Sequence, residues 1–195
     1  MAETRKVVLY IAMSLDGYIA KQNDDIDFLS LVEKQGEDYG YLDFIKSIDT
    51  ILIGRKTYDR VIAMGHEYPH RDKEVYIISR TSQLKNGTFN YYTGSLKGLV
   101  AELRSKPGKN IYCDGGAEIV NELLREDLID EFVISIIPIL LGEGIVLFKN
   151  GNTERSLKLI NATHFEKGLV QVHYERIRHD GNFIVNQRLS NKFLK

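Results

Sequence analysis

Asp49-Thr50-Ile51-Leu52-Ile53-Gly54-Arg55-Lys56-Thr57-Tyr58 is the stretch that decides the fold. Ile51, Leu52 and Ile53 follow one another with no polar break, which reads as a strand buried on both faces, as in a parallel sheet. Gly54 ends that run, and the spacing from Arg55 to Met64 predicts a helix. A strand passing straight into a helix is the repeating unit of a parallel sheet, because the helix returns the chain across one face. The unit recurs downstream. Asn110 to Cys113 is a short strand, Gly115-Gly116 is a turn, and Ile119, Val120, Leu123 and Leu124 then form one apolar stripe at helical spacing.

Toward the N-terminus, Lys6 to Met13 (KVVLYIAM) is another β-branched run. Asp24 to Ile48 has apolar residues at helical spacing but is broken by Gly36 and Gly40. It predicts one or two short helices, the second from about residue 38 to residue 47. Toward the C-terminus, Gly65 to Asp72 reads as a loop, Glu74 to Ser79 as a strand and Phe89 to Thr93 as a weaker one. Ser95 is placed to cap a helix whose core face is Leu96, Leu99, Val100 and Leu103, and Pro107-Gly108 ends it. Glu131 to Ile137 is a strand closed by Pro138. Leu157 to Phe165 and Leu169 to Ile177, joined by Glu166-Lys167-Gly168, predict an antiparallel hairpin. The alternation gives an α/β domain with a mostly parallel sheet between helices and antiparallel strands at the end. One domain is expected over 1–195, with a core at about 5–178. Residues 179–195 read as a tail or an edge strand.

The chain has 195 residues, of which 43% are hydrophobic and 27% charged, and this excludes disorder and a collagen-like or disulfide scaffold. A net charge of −1 with a pI near 6.5 gives no bulk affinity for nucleic acid or an anionic membrane. The single cysteine, Cys113, forbids an internal disulfide and any zinc site built on two thiolates, the zinc deaminase pattern included. No apolar run is long enough to span a bilayer, and Val7 to Met13 is too short for a secretory signal. A cytoplasmic protein with a small-molecule partner is the expectation.

Four constellations could carry chemistry. Gly54-Arg55-Lys56-Thr57-Tyr58 opens a helix, whose free N–H groups suit an anion. It is either a phosphate site or a solvated basic pair. Asp114-Gly115-Gly116-Ala117-Glu118 is a second strand-to-helix turn that would admit a close ligand, or an ordinary glycine turn. Ser79-Arg80-Thr81 ends a strand and could hold a further phosphate, such as the 2′-phosphate of NADP, or be a loop start. Ser14-Leu15-Asp16-Gly17-Tyr18-Ile19-Ala20 is either a loop closing over a reactive ring or a plain turn. All follow predicted strands at their carboxyl ends, where open α/β sheets bind ligands. His66-Glu67-Tyr68-Pro69-His70 matches a zinc pattern in letters, but Pro69 within it and Gly65 before it oppose the continuous helix that such a site needs. No metal is expected.

The ordered set Ser14-x-Asp16-Gly17-x-Ile19-Ala20, Gly54-Arg55-Lys56-Thr57-Tyr58, Ser79-Arg80 and Asp114-Gly115-Gly116 resembles the dihydrofolate reductase-like superfamily. Pro138-Ile139-Leu140-Leu141-Gly142-Glu143-Gly144 with Phe148 is similar to its riboflavin-pathway branch, the reductase half of the bifunctional deaminase/reductase. The resemblance implies a three-layer α/β/α fold with a mixed sheet of about eight strands, NADPH as cofactor and a homodimer. It places Gly54, Arg55, Lys56 and Thr57 on the cofactor phosphates, and Ser79 and Arg80 beside the adenosine ribose phosphate. Asp114, Gly115, Gly116, Ala117 and Glu118 would back the pyrophosphate and nicotinamide, through a cis Gly-Gly bond. Ala12, Asp16, Gly17 and Ile19 would meet the nicotinamide edge. Phe44, Leu141 and Gly142 would face the substrate. The acid that binds a pterin in dihydrofolate reductase has its nearest counterpart in Asp38, with Asp43 as runner-up. The superfamily's Trp-Pro signature is missing, since the chain contains no Trp. The implied activity is reduction of a pyrimidine- or pterin-like compound, 5-amino-6-(5-phosphoribosylamino)uracil reductase-like. The alternatives are a non-catalytic NADP(H)-binding module and a reductase of folates.

Overall fold

The computed structural model describes residues 4–65, 67–81 and 89–178. The chain begins with β1 (Val7–Ser14) and β2 (Tyr18–Ala20), followed by a 3₁₀ helix (Asp27–Val32), α1 (Tyr41–Lys46) and β3 (Ile48–Gly54). It continues with α2 (Arg55–Ala63), β4 (Glu74–Ile78), β5 (Phe89–Tyr92), α3 (Leu96–Arg104), β6 (Asn110–Gly115) and α4 (Ala117–Arg125). It closes with β7 (Glu131–Ile137), β8 (Ile145–Val146), β9 (Leu157–His164) and β10 (Val170–Arg176). The main sheet has eight strands in the order β5-β4-β3-β6-β1-β7-β10-β9. The pairs from β5 through β7 are parallel, and β10 lies antiparallel to both β7 and β9. This is the mixed, mostly parallel sheet with a closing hairpin that the sequence pattern predicts.

Helices cover both faces, giving three layers. Alternate residues of a strand point to opposite faces, so Val7 and Leu9 of β1 pack with α3 and α4, while Tyr10 packs with α1. On the first side Leu96, Leu99, Val100 and Leu103 of α3 are at most 1% exposed, each contributing about 1.5–3 kcal/mol of burial. On the second side Ile48, Ile51, Ile53, Val75 and Ile77 pack against Tyr41, Phe44 and Ile45 of α1 and Tyr58 and Val61 of α2. A third, smaller cluster joins the 3₁₀ helix, through Phe28 and Val32, to Ile137 and Leu169.

Two local expectations shift. The helix expected over about 38–47 spans only Tyr41–Lys46, because Gly40 before it is left-handed, with φ 82°. The region before it forms a 3₁₀ helix rather than an α-helix. The loop after β1 holds a strand that the apolar pattern does not show: β2 pairs with β8 in a separate two-stranded sheet. His66 and residues 179–195 lie outside the described residues. Of the zinc-like segment, Tyr68 is buried, and His70 shares a 2.6 Å hydrogen bond with the Tyr41 hydroxyl.

A charged network locks the amino ends of the strands. Asp130, just before β7, accepts from Val7 N at 2.8 Å and from Arg104 Nη2 at 2.5 Å. It also pairs with Arg176 Nη2 at 3.4 Å and with Arg178. Arg176 in turn meets Asp127, which Arg155 also holds at 2.9 Å.

Candidate functional site

Parallel pairing aligns three strand ends. Gly54 of β3 pairs with Ile78 of β4, and Ile53 pairs with Gly115 of β6. Gly54, Ser79 and Gly115 therefore emerge at one level along the same edge of the sheet. Two helices start there. Gly54 is the N-cap of α2 and Gly116 that of α4, and neither helix start receives a side-chain cap hydrogen bond. Their first-turn N–H groups, with the positive ends of two helix dipoles, lie at this edge of the sheet.

The glycines are required by packing. The bond Gly115-Gly116 is cis, and Gly115 has φ 85°. A Cβ on Gly116 would sit 2.9 Å from Thr57 Oγ1, and one on Gly54 would sit 3.2 Å from the Ile119 side chain. The Gly116 N–H donates to Thr57 Oγ1 at 3.0 Å, which stitches the two helix starts together. Arg55 is exposed and pairs with Asp59 at 3.5 Å, so part of its charge is already balanced within α2. Glu118 lies in the first turn of α4. Its hydrogen bond from Lys149 lowers its pKa, and Lys56 adds to the shift. Ser79 Oγ accepts from Thr81 N at 3.2 Å, and Arg80 is exposed, with no partner among the described residues.

Asp114 differs from every other acid here. It accepts from Tyr68 OH at 2.6 Å and from Tyr112 OH at 2.7 Å. Burial raises its pKa, against the lowering effect of those two hydroxyls. Asp16 and Asp38 go the other way. The Ser14 hydroxyl and then the N–H groups of Gly142 and Leu141 hold Asp16 low. The N–H groups of Leu42 and Gly40 hold Asp38 low. Asp38 is exposed and bonds both of those groups, at 2.8 and 3.1 Å, so its carboxylate anchors the start of α1. An acid held that low is a poor proton donor near neutral pH.

The loop after β1 is tied down. Asp16 accepts from Gly142 N at 2.7 Å and from Leu141 N at 3.1 Å, and Leu15 N donates to Ile139 O at 2.9 Å. Leu147 N donates to Gly17 O at 2.9 Å, while Ile19 packs toward the α3/α4 core. Gly144 closes this roof with φ 148°, and a Cβ there would lie 2.2 Å from Ala20 O. Gly144→Ala is therefore expected to cost about 1–3 kcal/mol of strain and to lower Tm by about 2–12 °C. Thermal unfolding checks this, and an unchanged Tm would mean that the roof moves freely.

Beside this roof, between β1, β7 and the 3₁₀ helix, is a cavity of about 380 Å³. Its walls are Ala12, Ile26, Asp27, Leu29, Ser30, Val32, Glu33, Tyr39, Ser135, Ile137 and Leu169. Of the residues singled out in the sequence for the substrate side, none lines it. Phe44 stacks on Tyr10 at 4.5 Å, and Leu141 packs in the small cluster that supplies the cavity's apolar walls without itself lining it. Gly142 serves the Asp16 clamp. Ala12, expected at the nicotinamide edge, does line it. Sequence reasoning missed Tyr39, Ser135 and Gln171. Gln171 Nε2 reaches Tyr10 OH, Tyr39 O and Ser135 Oγ, each at 3.1 Å, and so fixes the cavity wall. Ser135 carried a usable signal, as the one polar residue inside the apolar run of β7.

These features define a class: the fold is that of the dihydrofolate reductase-like α/β proteins. The chain belongs to the RibD C-terminal domain family, a family of reductase-type enzymes, whose model matches residues 5–171. It is 40% identical over 173 residues to the uncharacterized protein YwjB of Bacillus subtilis (strain 168), covering 88% of this chain and 98% of YwjB. A crystal structure of a provisionally assigned riboflavin biosynthesis protein from Shewanella sp. PV-4 superposes with a TM-score of 0.80 at 34% identity, over 89% of this chain and 99% of that one. Dihydrofolate reductase from Enterococcus faecalis, complexed with NADP(H), superposes with a TM-score of 0.60 at 16% identity, over 88% of this chain and 96% of that one.

Proposed function

We propose that the protein is an NADPH-dependent reductase of a pyrimidine- or pterin-like ring compound, of the kind represented by 5-amino-6-(5-phosphoribosylamino)uracil reductase. The observation that carries this is the alignment of Gly54, Ser79 and Gly115 at one sheet edge with two uncapped helix starts. Two helix N-termini and an exposed Arg80 fit a pyrophosphate and one further phosphate. The glycine pair permits close approach of a flat ring over the sheet edge. When bound, the reduced nicotinamide supplies a hydride to an electrophilic carbon of the substrate.

The work left to the chain is alignment and exclusion of water. Gly54 to Thr57 and Gly115 to Glu118 grip the cofactor, with Ser79 and Arg80 at its adenosine end. Ala12, Asp16, Gly17 and Ile19 belong to the strand and roof that would border the nicotinamide. The cavity beside Ala12 would take the substrate ring. With Asp16 and Asp38 held as carboxylates, the accompanying proton comes from solvent. A second copy of the chain is part of the proposal, supported by the edge strand β9 with Leu159 and Ile160 exposed. So is a cytoplasmic setting; no helix among the described residues is long and apolar enough to cross a membrane.

Titration of NADPH with the purified protein, followed by cofactor fluorescence, is expected to saturate in the micromolar range, near ~−8 kcal/mol. Addition of reducible pyrimidines or pterins should then consume NADPH absorbance. Absence of cofactor binding would overturn the reading. Binding with no turnover across the panel would leave a nucleotide-binding module in its place.

A further inference from the structure

The substrate half of the cleft has a charge pattern of its own. The cavity beside Ala12 is about 380 Å³, near the lower end of the ~300–1,000 Å³ usual for ligand sites and sized for one or two rings. Leu29, Val32 and Ile137 make its walls apolar, and the charged side chains that line it, Asp27 and Glu33, are both acids. The cations nearby are already engaged. Lys21 pairs with Asp27 at 2.5 Å, Lys34 pairs with Glu166 at 2.7 Å, and Lys167 donates to the Glu33 main-chain carbonyl at 2.5 Å. A phosphate entering here would lose water and meet the Glu33 carboxylate and the Lys21-paired Asp27, while Lys167, the nearby ammonium that no acid balances among the described residues, is held on a main-chain carbonyl. The cavity's buried polar contact is of another kind. Ser135 is 5% exposed and its Oγ accepts from Gln171, which leaves its hydroxyl hydrogen for an acceptor on the ligand.

Resting on the reductase reading above, we propose that the substrate is a phosphate-free flat heterocycle, neutral or cationic, with a carbonyl or ring nitrogen that accepts from Ser135. The chain thus departs in substrate charge from a reductase of phosphoribosylated pyrimidines, while its cofactor edge retains the means to hold phosphates.

The test is calorimetric binding of a matched pair, 5-amino-6-(ribosylamino)uracil and its 5′-phosphate, to the full chain with and without NADPH. The phosphate-free ring is expected to bind about tenfold tighter or more. In the double variant Asp27→Asn, Glu33→Gln, the gap should shrink to about threefold or less. Equal or tighter binding of the phosphate by the unmodified protein overturns the inference, and so does failure of the phosphate-free ring to bind. Because the pair is also measured without cofactor, loss of NADPH binding would sink the reductase reading alone. Intact NADPH binding with a preference for the phosphate would sink only the inference.

Discussion

Asp130→Ala is expected to destabilise the fold by about 3–5 kcal/mol. The carboxylate is 12% exposed and faces the guanidiniums of Arg104, 18% exposed, and Arg176, 3% exposed. It also satisfies the backbone N–H of Val7, at the start of the central strand. Removing it leaves the largely buried Arg104 without its counter-ion and Arg176 with Asp127 alone, and the cost of an uncompensated buried charge exceeds what the pair itself contributes. Asp130→Asn keeps an acceptor for Val7 and removes the charge, so it should fall between wild type and alanine. Urea unfolding at constant m reads both. A loss under about 1 kcal/mol would mean that water screens these arginines more than their burial implies.

Arg80→Ala is expected to weaken NADPH binding by about 10–100-fold and NADH by less than about twofold. Arg80 stands two residues past Ile78, which pairs with Gly54 at the head of α2. A guanidinium there can meet a phosphate with two parallel hydrogen bonds, and a charge-assisted contact of this kind contributes about 1.5–3 kcal/mol. NADH lacks the 2′-phosphate and has nothing to lose. Paired fluorescence titrations decide the matter, and an equal loss for both cofactors would remove the phosphate-reading role from Arg80.

Most of the architecture was legible because the information was local. Apolar runs marked β1, β3 and β7, and spaced apolar residues marked α3. The glycines at 54, 115 and 116 marked where strand gives way to helix. The β2–β8 pairing was not legible. Tyr18 and Val146 are far apart in sequence, each strand is two or three residues long, and what holds them is the strand pairing, the Leu147 N–H to Gly17 O bond and the Asp16 carboxylate on Gly142 N, none of which has a hydrophobic period. The strand-end groups proposed for the cofactor were placed at one sheet edge for the same local reason, since they follow strand ends directly. The cavity beside Ala12 was not legible. Its walls come from Ala12, the segment around Leu29, and Ile137, and only the register of β1 with β7 brings them together. Asp38 was a fair inference from resemblance, yet its oxygens serve Gly40 and Leu42.

The small third cluster has an evolutionary consequence. The residues proposed for the cofactor are scattered over three strand ends, so altering them would require coordinated change. Most of the cavity wall comes from one continuous stretch, Ile26 to Tyr39, that holds none of the residues proposed for the cofactor. Drift or grafting confined to that stretch would change what the cavity admits while leaving the proposed cofactor residues untouched, and siblings that share this scaffold should diverge there first.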